Sequence, residues 1–550
     1  MRASDLRSGL IGIGITLFVS SASTIAAEPL TYYGFDKESH STAAQEGMEE
    51  IFSGRCFHAG VPLKAAIAIA TSSPQPKPKV DLGYNPLTPE GRFYMSGSLP
   101  SPKGRKSGMM ASLPLGASVS NRNGVAIVNA NCFECHAGVV HGQVVAGLGN
   151  CHLDQAAGAS NAKGLMSQRD AILSSLKSDA ERKEFAEFFD HARAASTSFK
   201  YAKSRGDNFG PYAVWRLGAR LADPTKTGMI ASAEKTALEE LMDSTELPTV
   251  DPMPWWLMKY KKKDYWYSDA APDDASHFAF NFTTAHPEIN DSRSEHVKSV
   301  AKALAFARDT QSPPFPGKLN PELVQKGADL FHGRTAPANK SGFVTCKNCH
   351  GSYTKKDSAN DLSVPGSWQV DYHSSETLRD VKTDDAYNTT LQKFKPIVDN
   401  INQMKEYFTA QGTPELAPYA TVPEKKGYIA PPLVGVWASA PYFHNGSVPT
   451  IEAVLDSSKR PVTWARNNSD PHAYNLEQVG MIYKNVNPEE LKPLPADTDP
   501  RSMAAIDRHA IYDTRTFGRH NTGHTFGDSL SQDERVAIIE FLKSLSGPDM

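Results

Sequence analysis

Cysteine is scarce in this chain: six occur among 550 residues. That is far too few for a small disulfide-stapled scaffold. An excess of charge of one sign is also lacking. Lys and Arg total 58, Asp and Glu total 61, and the net charge is −3. No long block of one sign appears, which argues against nucleic acid as the main partner. Past the N-terminus, no apolar run approaches the ~20 residues that a membrane-spanning helix needs. Proline and glycine, by contrast, are plentiful (38 and 39) and predict long ordered loops. A hydrophobic content of 40 % supplies core for two or three domains.

The first residues read "MRASDLRSGLIGIGITLFVSSASTIAAEPL". Arg2 and Arg7 form a positive start, an apolar run follows from Gly9 to about Val19, and small residues lead to Ala26 and Ala27. This is the pattern of a secretory signal over residues 1–27, with an uncleaved N-terminal anchor as the alternative. The expectation is a mature protein that is soluble and exported, periplasmic or secreted, with no membrane span after cleavage.

Four of the six cysteines fall in two copies of one pattern: Cys132-Phe-Glu-Cys135-His136 and Cys346-Lys-Asn-Cys349-His350. C-x-x-C-H is the haem c attachment motif. Two thiols that add to the two haem vinyl groups must lie a fixed distance apart on one short turn. The next residue then faces the iron, and a neutral imidazole is a good axial ligand. A thioredoxin-like dithiol needs no following histidine. A zinc ribbon needs its two pairs close together, whereas these lie over 200 residues apart. Two covalently bound haem c groups are therefore expected. Cys56 and Cys151 remain. A leftover pair in an exported protein points to a disulfide, with two separate buried thiols as the alternative.

The chain divides at a proline-rich stretch, "PPFPGKL" (313–319). After it, Asn320 and Pro321 suit the cap and first position of a helix, with Leu323, Val324, Gly327, Leu330 and Phe331 on one face. Near the C-terminus Ser531 and Glu534 form a capping box, and Val536, Ile539, Leu542 and Leu545 are expected on one face. A first helix, a C-x-x-C-H turn and a closing helix are the frame of a class I cytochrome c domain. A helix near Thr42 to Phe52 is the matching first helix of an N-terminal half. The expected fold is mainly α: two class I-like haem domains, at 28–312 and 313–550, with long inserted loops and few short strands.

Between the motifs, "DPMPWWLMKYKKKDYWY" (251–267) sets Trp255, Trp256 and Trp266 beside lysines. It reads as a hydrophobic seam with a basic rim, or as an indole relay between two haems. The stretch "APYFHNGSV" (440–448) resembles the second haem domain of bacterial dihaem cytochrome c peroxidases. "CHAGVVHGQVVAGLGN", "GDNFGPYAVWRLGARL", "DPMPWW", "PYFHNGSVPT" and "NTGHTFG" together resemble the rubber-oxygenase branch of that superfamily more closely. The resemblance implies His136 and His350 as proximal ligands, His444 as a haem-propionate partner, and His524 as the second ligand of the second iron. Met481 and Met503 are poorer substitutes, because Ser457 stands where many of the peroxidases carry a methionine. It also implies Trp256 between the haems and Trp215 in the first pocket. A calcium ion between the domains occurs in relatives, and Asp384 and Asp385 are available acids.

No residue is required by the sequence to close the far side of the first haem. His141 and His152 are the candidates for doing so, each with a second-sphere or surface role as the alternative. The leading functional expectation is an oxidoreductase whose five-coordinate first haem activates peroxide or dioxygen while a six-coordinate second haem relays electrons. Its partner would be a small redox protein (a cytochrome c or cupredoxin) or an organic substrate. The N-P-x-E-M pattern associated with the peroxidases is absent from the sequence. The alternative is a non-catalytic dihaem electron carrier with both irons six-coordinate.

Overall fold

The computed structural model describes residues 30–56, 60–66, 99–102, 113–153, 169–186, 188–189, 248–263, 274–282, 293–339, 342–356, 362–364, 366–372, 376–393, 395, 405–406, 408–410, 412–417, 422–467, 470–491 and 510–547. The helices that organise it are α1 (Thr42–Ser53), α2 (Arg169–Ser175), α3 (Ala275–Phe282), α4 (Arg293–Asp309), α5 (Pro321–His332), α6 (Lys347–His350), α7 (Ala386–Lys393), α8 (Ile451–Leu455) and α9 (Gln532–Ser544). Residues 1–27, expected from the sequence to be a secretory signal, and Trp215, Trp266 and Met503 lie outside the described residues.

Two helix pairs carry the two halves. In the second, α5 crosses α9, and Gly327 sits at the crossing. A Cβ there would lie 1.9 Å from the Ala537 carbonyl oxygen, so only glycine lets the backbones meet. Phe331 packs on Phe541 beside the crossing, with ring centroids 5.3 Å apart. In the first half, α1 crosses α4 in the same way: a Cβ on Gly47 would lie 2.1 Å from the Lys302 carbonyl oxygen. Asn320 caps α5 by accepting from the N–H groups of Glu322 and Leu323. The Ser531–Glu534 capping box opens α9. The buried stripe of α9 runs through Ala537, Ile538, Phe541, Leu542 and Leu545, whereas Val536 is 38 % exposed.

The expectation of a mainly α chain fails. The described residues are 38 % helix and 16 % strand, a mixed α/β composition, with six sheets of two or three strands each. Several of these strands lie in short hairpins. Ala117–Arg122 and Val125–Ala130 pair antiparallel around Asn123-Gly124, and Val61–Pro62 joins their edge. An Asn-Gly pair between alternating apolar residues is a strong hairpin signal. Ala137–Val140 and Gln143–Ala146 form a second hairpin, with Thr31–Tyr33 added parallel. Thr463–Arg466 lies between Tyr483–Asn485 and Ile511–Asp513. These strands are two to six residues long, and helix-period patterning does not detect elements of that length.

The proline-rich stretch at 313–319 is packed onto the second half. Phe315 is buried, its ring edge-on to Trp437 at 5.4 Å, and the Trp437 indole donates to the Pro313 carbonyl at 2.9 Å. The disulfide expectation also fails. Cys56 and Cys151 are not joined in a disulfide and are buried in different cores. Cys56 lies with α1 and α4, its sulfur 3.6 Å from the Ser299 hydroxyl. Cys151 lies with Trp464, Met481 and Tyr512. Among the described residues, no helix is long and apolar enough to cross a membrane.

Candidate haem sites

Both C-x-x-C-H segments form a single helical turn, as the spacing predicts. The His136 and His350 amides donate to the carbonyls of Cys132 and Cys346, each at 3.0 Å. On such a turn the two thiols lie on one side and the histidine is carried past them.

The second turn, α6, opens onto an apolar cavity. Its lining includes Phe331, Leu257, Val434, Ile451, Leu455, Phe526, Leu530 and Leu542 from six separate segments, with Cys346, Cys349 and His350 at one side. Across the cavity stands His524. The two imidazole centroids are 6.2 Å apart. A metal–imidazole bond of about 2.0–2.1 Å, added to about 1.1 Å from ring nitrogen to ring centre on each side, requires a separation of about 6.2–6.4 Å. The spacing thus matches two axial ligands of one metal ion.

The tautomer of His350 is fixed by its surroundings. Its Nδ1 lies 2.8 Å from the Pro431 carbonyl oxygen, so Nδ1 carries the proton and Nε2 is left to ligate. Tyr353 fastens the same corner: its hydroxyl donates to the His350 carbonyl and accepts from the Leu433 amide, both at 2.7 Å. Burial lowers the pKa of His350. Burial, with His350 and Arg460 nearby, pushes His524 down to about 4. Both rings are therefore neutral at pH 7, the form that binds a metal. No protein group among the described residues hydrogen-bonds to Nδ1 of His524.

The polar rim suits carboxylates. His444 is buried, stacked on Tyr428 at 3.9 Å, and lines the cavity. Arg379, which the sequence reading did not single out, lines it too. Its Nη groups donate to Thr377 and the Asn348 carbonyl, while its buried Nε–H has no partner among the described residues. The residues present fit a haem c: two thiols on one turn, two facing neutral imidazoles, an apolar slot and cationic or donor groups at the rim.

Met481, one of the two methionines offered as substitutes, is not in place. It packs in the separate core of Trp464 and Tyr512, and Ser457 hydrogen-bonds Asp528. Asp384 pairs with His520 at 2.7 Å and caps α7, while Asp385 pairs with Lys426. The two acids thus serve different partners, and no metal-holding acidic cluster occurs among the described residues.

At the first turn, Asn131 caps the segment by accepting from Phe133 N–H. The His136 ring is stacked on Trp255, centroids 4.9 Å apart and planes at 23°. Trp256, the expected tryptophan between the haems, faces the other way. It is wholly buried in the second core, and its indole N–H donates to the Val434 carbonyl at 2.9 Å. Val434 lines the second cavity. Two adjacent tryptophans thus reach the two sites, and the one on the first histidine is Trp255 rather than Trp256, to which the family resemblance pointed. His141 lies at the exposed tip of the hairpin that starts just after His136. A strand rising ~3.3 Å per residue carries it about 13 Å away. His152 turns toward Cys151, with its Nδ1 3.4 Å from the sulfur.

This geometry defines a haem-binding redox protein. Comparison with known proteins agrees: residues 427–465, which hold His444 and α8, match the family described as "RoxA-like, cytochrome c-like". This stretch is similar to part of a RoxA-like cytochrome c domain. Such a domain implies haem c and a redox role. Two curated relatives come from Sinorhizobium fredii. Uncharacterized protein y4iJ is 34 % identical over 128 residues, 22 % of this chain and 18 % of that protein. Uncharacterized protein y4iM is 38 % identical over 104 residues, 19 % of this chain and 21 % of that protein. The chain matches about a fifth of each relative's length.

Proposed function

We propose that this chain is an exported dihaem c-type cytochrome with oxidoreductase activity. Cys132, Cys135 and His136 would hold a haem that could supply oxidant chemistry with peroxide or dioxygen, and Cys346, Cys349, His350 and His524 would hold one that could supply electron storage and relay. When bound, haem supplies the redox chemistry, and the chain sets ligands, polarity and route. The observation that carries the reading is the asymmetry between the two sites. His350 faces a second imidazole at ligand distance. At His136, of the two histidines considered as further ligands, one is at an exposed hairpin tip and the other is turned to a cysteine. A six-coordinate iron suits transfer, and a five-coordinate one can bind an oxidant.

Trp255 and Trp256 support the relay. One stacks on the first proximal histidine and its neighbour reaches the wall of the second cavity. An electron passing between the sites has an aromatic, mostly through-bond path of two residues. The N-terminal signal pattern supports export to the periplasm or outside the cell. A small redox protein or an organic substrate is the proposed partner.

Electron paramagnetic resonance of the ferric holoprotein tests this reading. One high-spin haem that shifts with peroxide or cyanide, and one low-spin haem that does not, is the expected result. Two unreactive low-spin haems would make the protein an electron carrier and sink the proposal. His524→Ala should turn the second haem high-spin with haem attachment intact. An unchanged spectrum would remove His524 as the ligand.

A further inference from the structure

We propose that Arg460 is a positioning residue that clamps the loop bearing His524 and so keeps this histidine on the second iron. The inference rests on His350 and His524 being the axial pair. Arg460 spends all five of its N–H groups on backbone carbonyls. Its Nε donates to Ala453 at 3.0 Å and one Nη to Val454 at 3.2 Å, both in α8. The other contacts converge on the loop: Asn521 at 2.8 Å, Gly523 at 2.7 Å and His524 itself at 3.1 Å. The guanidinium also lies over Phe443, 5.0 Å from its centroid, and the Phe443 ring is 5.9 Å from the His524 ring.

No carboxylate shares this work. Asp456 is held by Arg535 and Ser458, and Asp528 by Ser457. An ion pair is therefore not what keeps Arg460 there. Its donors match carbonyls of two separate segments, which a rigid five-donor fork can do and a lysine ammonium cannot.

The loop needs such a clamp. His524 sits at φ +46°, a left-handed conformation that is unfavourable for a residue with a Cβ. The ring projects into an apolar cavity where its Nδ1 finds no protein hydrogen bond among the described residues. On the other side, the His524 amide donates to the Val381 carbonyl at 2.8 Å, and its ring packs edge-on to Phe526 at 5.3 Å. The Asn521 side-chain amide on the Pro461 carbonyl at 2.8 Å and the Thr522 hydroxyl on the Lys382 carbonyl at 3.4 Å hold the start of the loop, but of these groups only the Arg460 guanidinium reaches the carbonyls of both Gly523 and His524. Without it the loop would relax and the imidazole would leave the iron.

The test uses the full chain with its haems attached, in wild-type, Arg460→Met, Arg460→Lys and His524→Ala forms. Haem per chain and visible and paramagnetic-resonance spectra are recorded, with imidazole and cyanide as probes. Arg460→Met should keep both haems attached yet show a high-spin second haem, and added imidazole should restore the low-spin signal. A purely structural role would not give that rescue. Arg460→Lys should let cyanide reach the second iron about tenfold faster for each loop hydrogen bond lost. A wild-type low-spin spectrum in Arg460→Met overturns the proposal. If that variant yields no haem-loaded protein, an unchanged cyanide rate in Arg460→Lys overturns it. His524→Ala separates the two readings. If it becomes high-spin while both Arg460 variants stay low-spin, only the clamp fails; if it stays low-spin, the ligand pair itself fails.

Discussion

Replacing Gly327 by alanine reports on the crossing of α5 and α9. In an exposed helix interior this change stabilises by about 1 kcal/mol, because alanine is the better helix former. Here the new Cβ would meet the Ala537 carbonyl oxygen at 1.9 Å, its carbon at 2.5 Å and the Phe541 Cβ at 2.9 Å. Cβ contacts under 3.0 Å do not occur in real packing, so the helices must part by about 1.1 Å. The obstacle is backbone, which cannot rotate away. A gap of that size forfeits about half of the dispersion contact along the seam, which includes Phe331 against Phe541. Overpacking of this kind costs about 1–3 kcal/mol. With the obstacle rigid, the upper end applies, and the helix gain leaves a net loss of about 2 kcal/mol. For a domain of this size, that lowers Tm by about 4–8 °C. Differential scanning calorimetry of the haem-loaded chain measures it, with the low-spin signal of the second haem followed through the transition. A Tm equal to or above wild type would refute the close crossing.

Gly47→Ala should destabilise similarly, since its Cβ would lie 2.1 Å from the Lys302 carbonyl oxygen, but the change should be seen first in the spectrum of the haem on His136. Tyr353→Phe removes the partner of the Leu433 amide and of the His350 carbonyl; chemical denaturation should show a loss of about 1–3 kcal/mol, and no loss would mean that water replaces the hydroxyl. His332 must stay neutral, because Nδ1 lies 2.7 Å from the Ala328 carbonyl oxygen and Nε2 accepts from the Tyr353 amide; burial lowers its pKa below the ordinary value of 6.5. Its stabilising contribution is therefore full above pH 6.5 and is lost as the pH falls from there toward the depressed folded-state value; a His332→Gln variant should flatten the stability-versus-pH curve in that window, and an identical slope would exclude the residue. Trp255→Leu should slow electron transfer between the haems in a flash-reduction experiment while Trp255→Phe slows it less; equal rates in both variants and wild type would exclude the stack on His136 as part of the route.

What was legible in the sequence is what the chemistry writes in contiguous spacing. Two thiols and an imidazole must share one helical turn, so both C-x-x-C-H turns could be read directly, and the helix caps at Asn320 and Ser531 could be read for the same reason. The short hairpins were harder to see because strands of two to six residues leave too few repeats of the alternating pattern, although Asn123-Gly124 was a usable signal. The side chains that complete the second site come from segments far apart in the chain. His524 was reachable through family resemblance alone, because no local spacing ties it to His350, 174 positions earlier.

Trp255 and Trp256 show a different limit. Adjacent residues in a 3₁₀ segment, Trp255–Tyr260, point in different directions, and the sequence does not tell which indole faces which C-x-x-C-H site. The structure divides them: one indole stacks on His136 and the other donates to Val434. A residue whose partners are all main-chain carbonyls, as Arg460's hydrogen-bond partners are, leaves no complementary charge in the sequence to betray it. Such a residue also tolerates substitution of its neighbours, because a carbonyl is present whatever the side chain. A loop that must hold a strained histidine on a metal can therefore depend on one arginine while the surrounding residues drift, and that arginine is where loss of the second ligand is expected to begin.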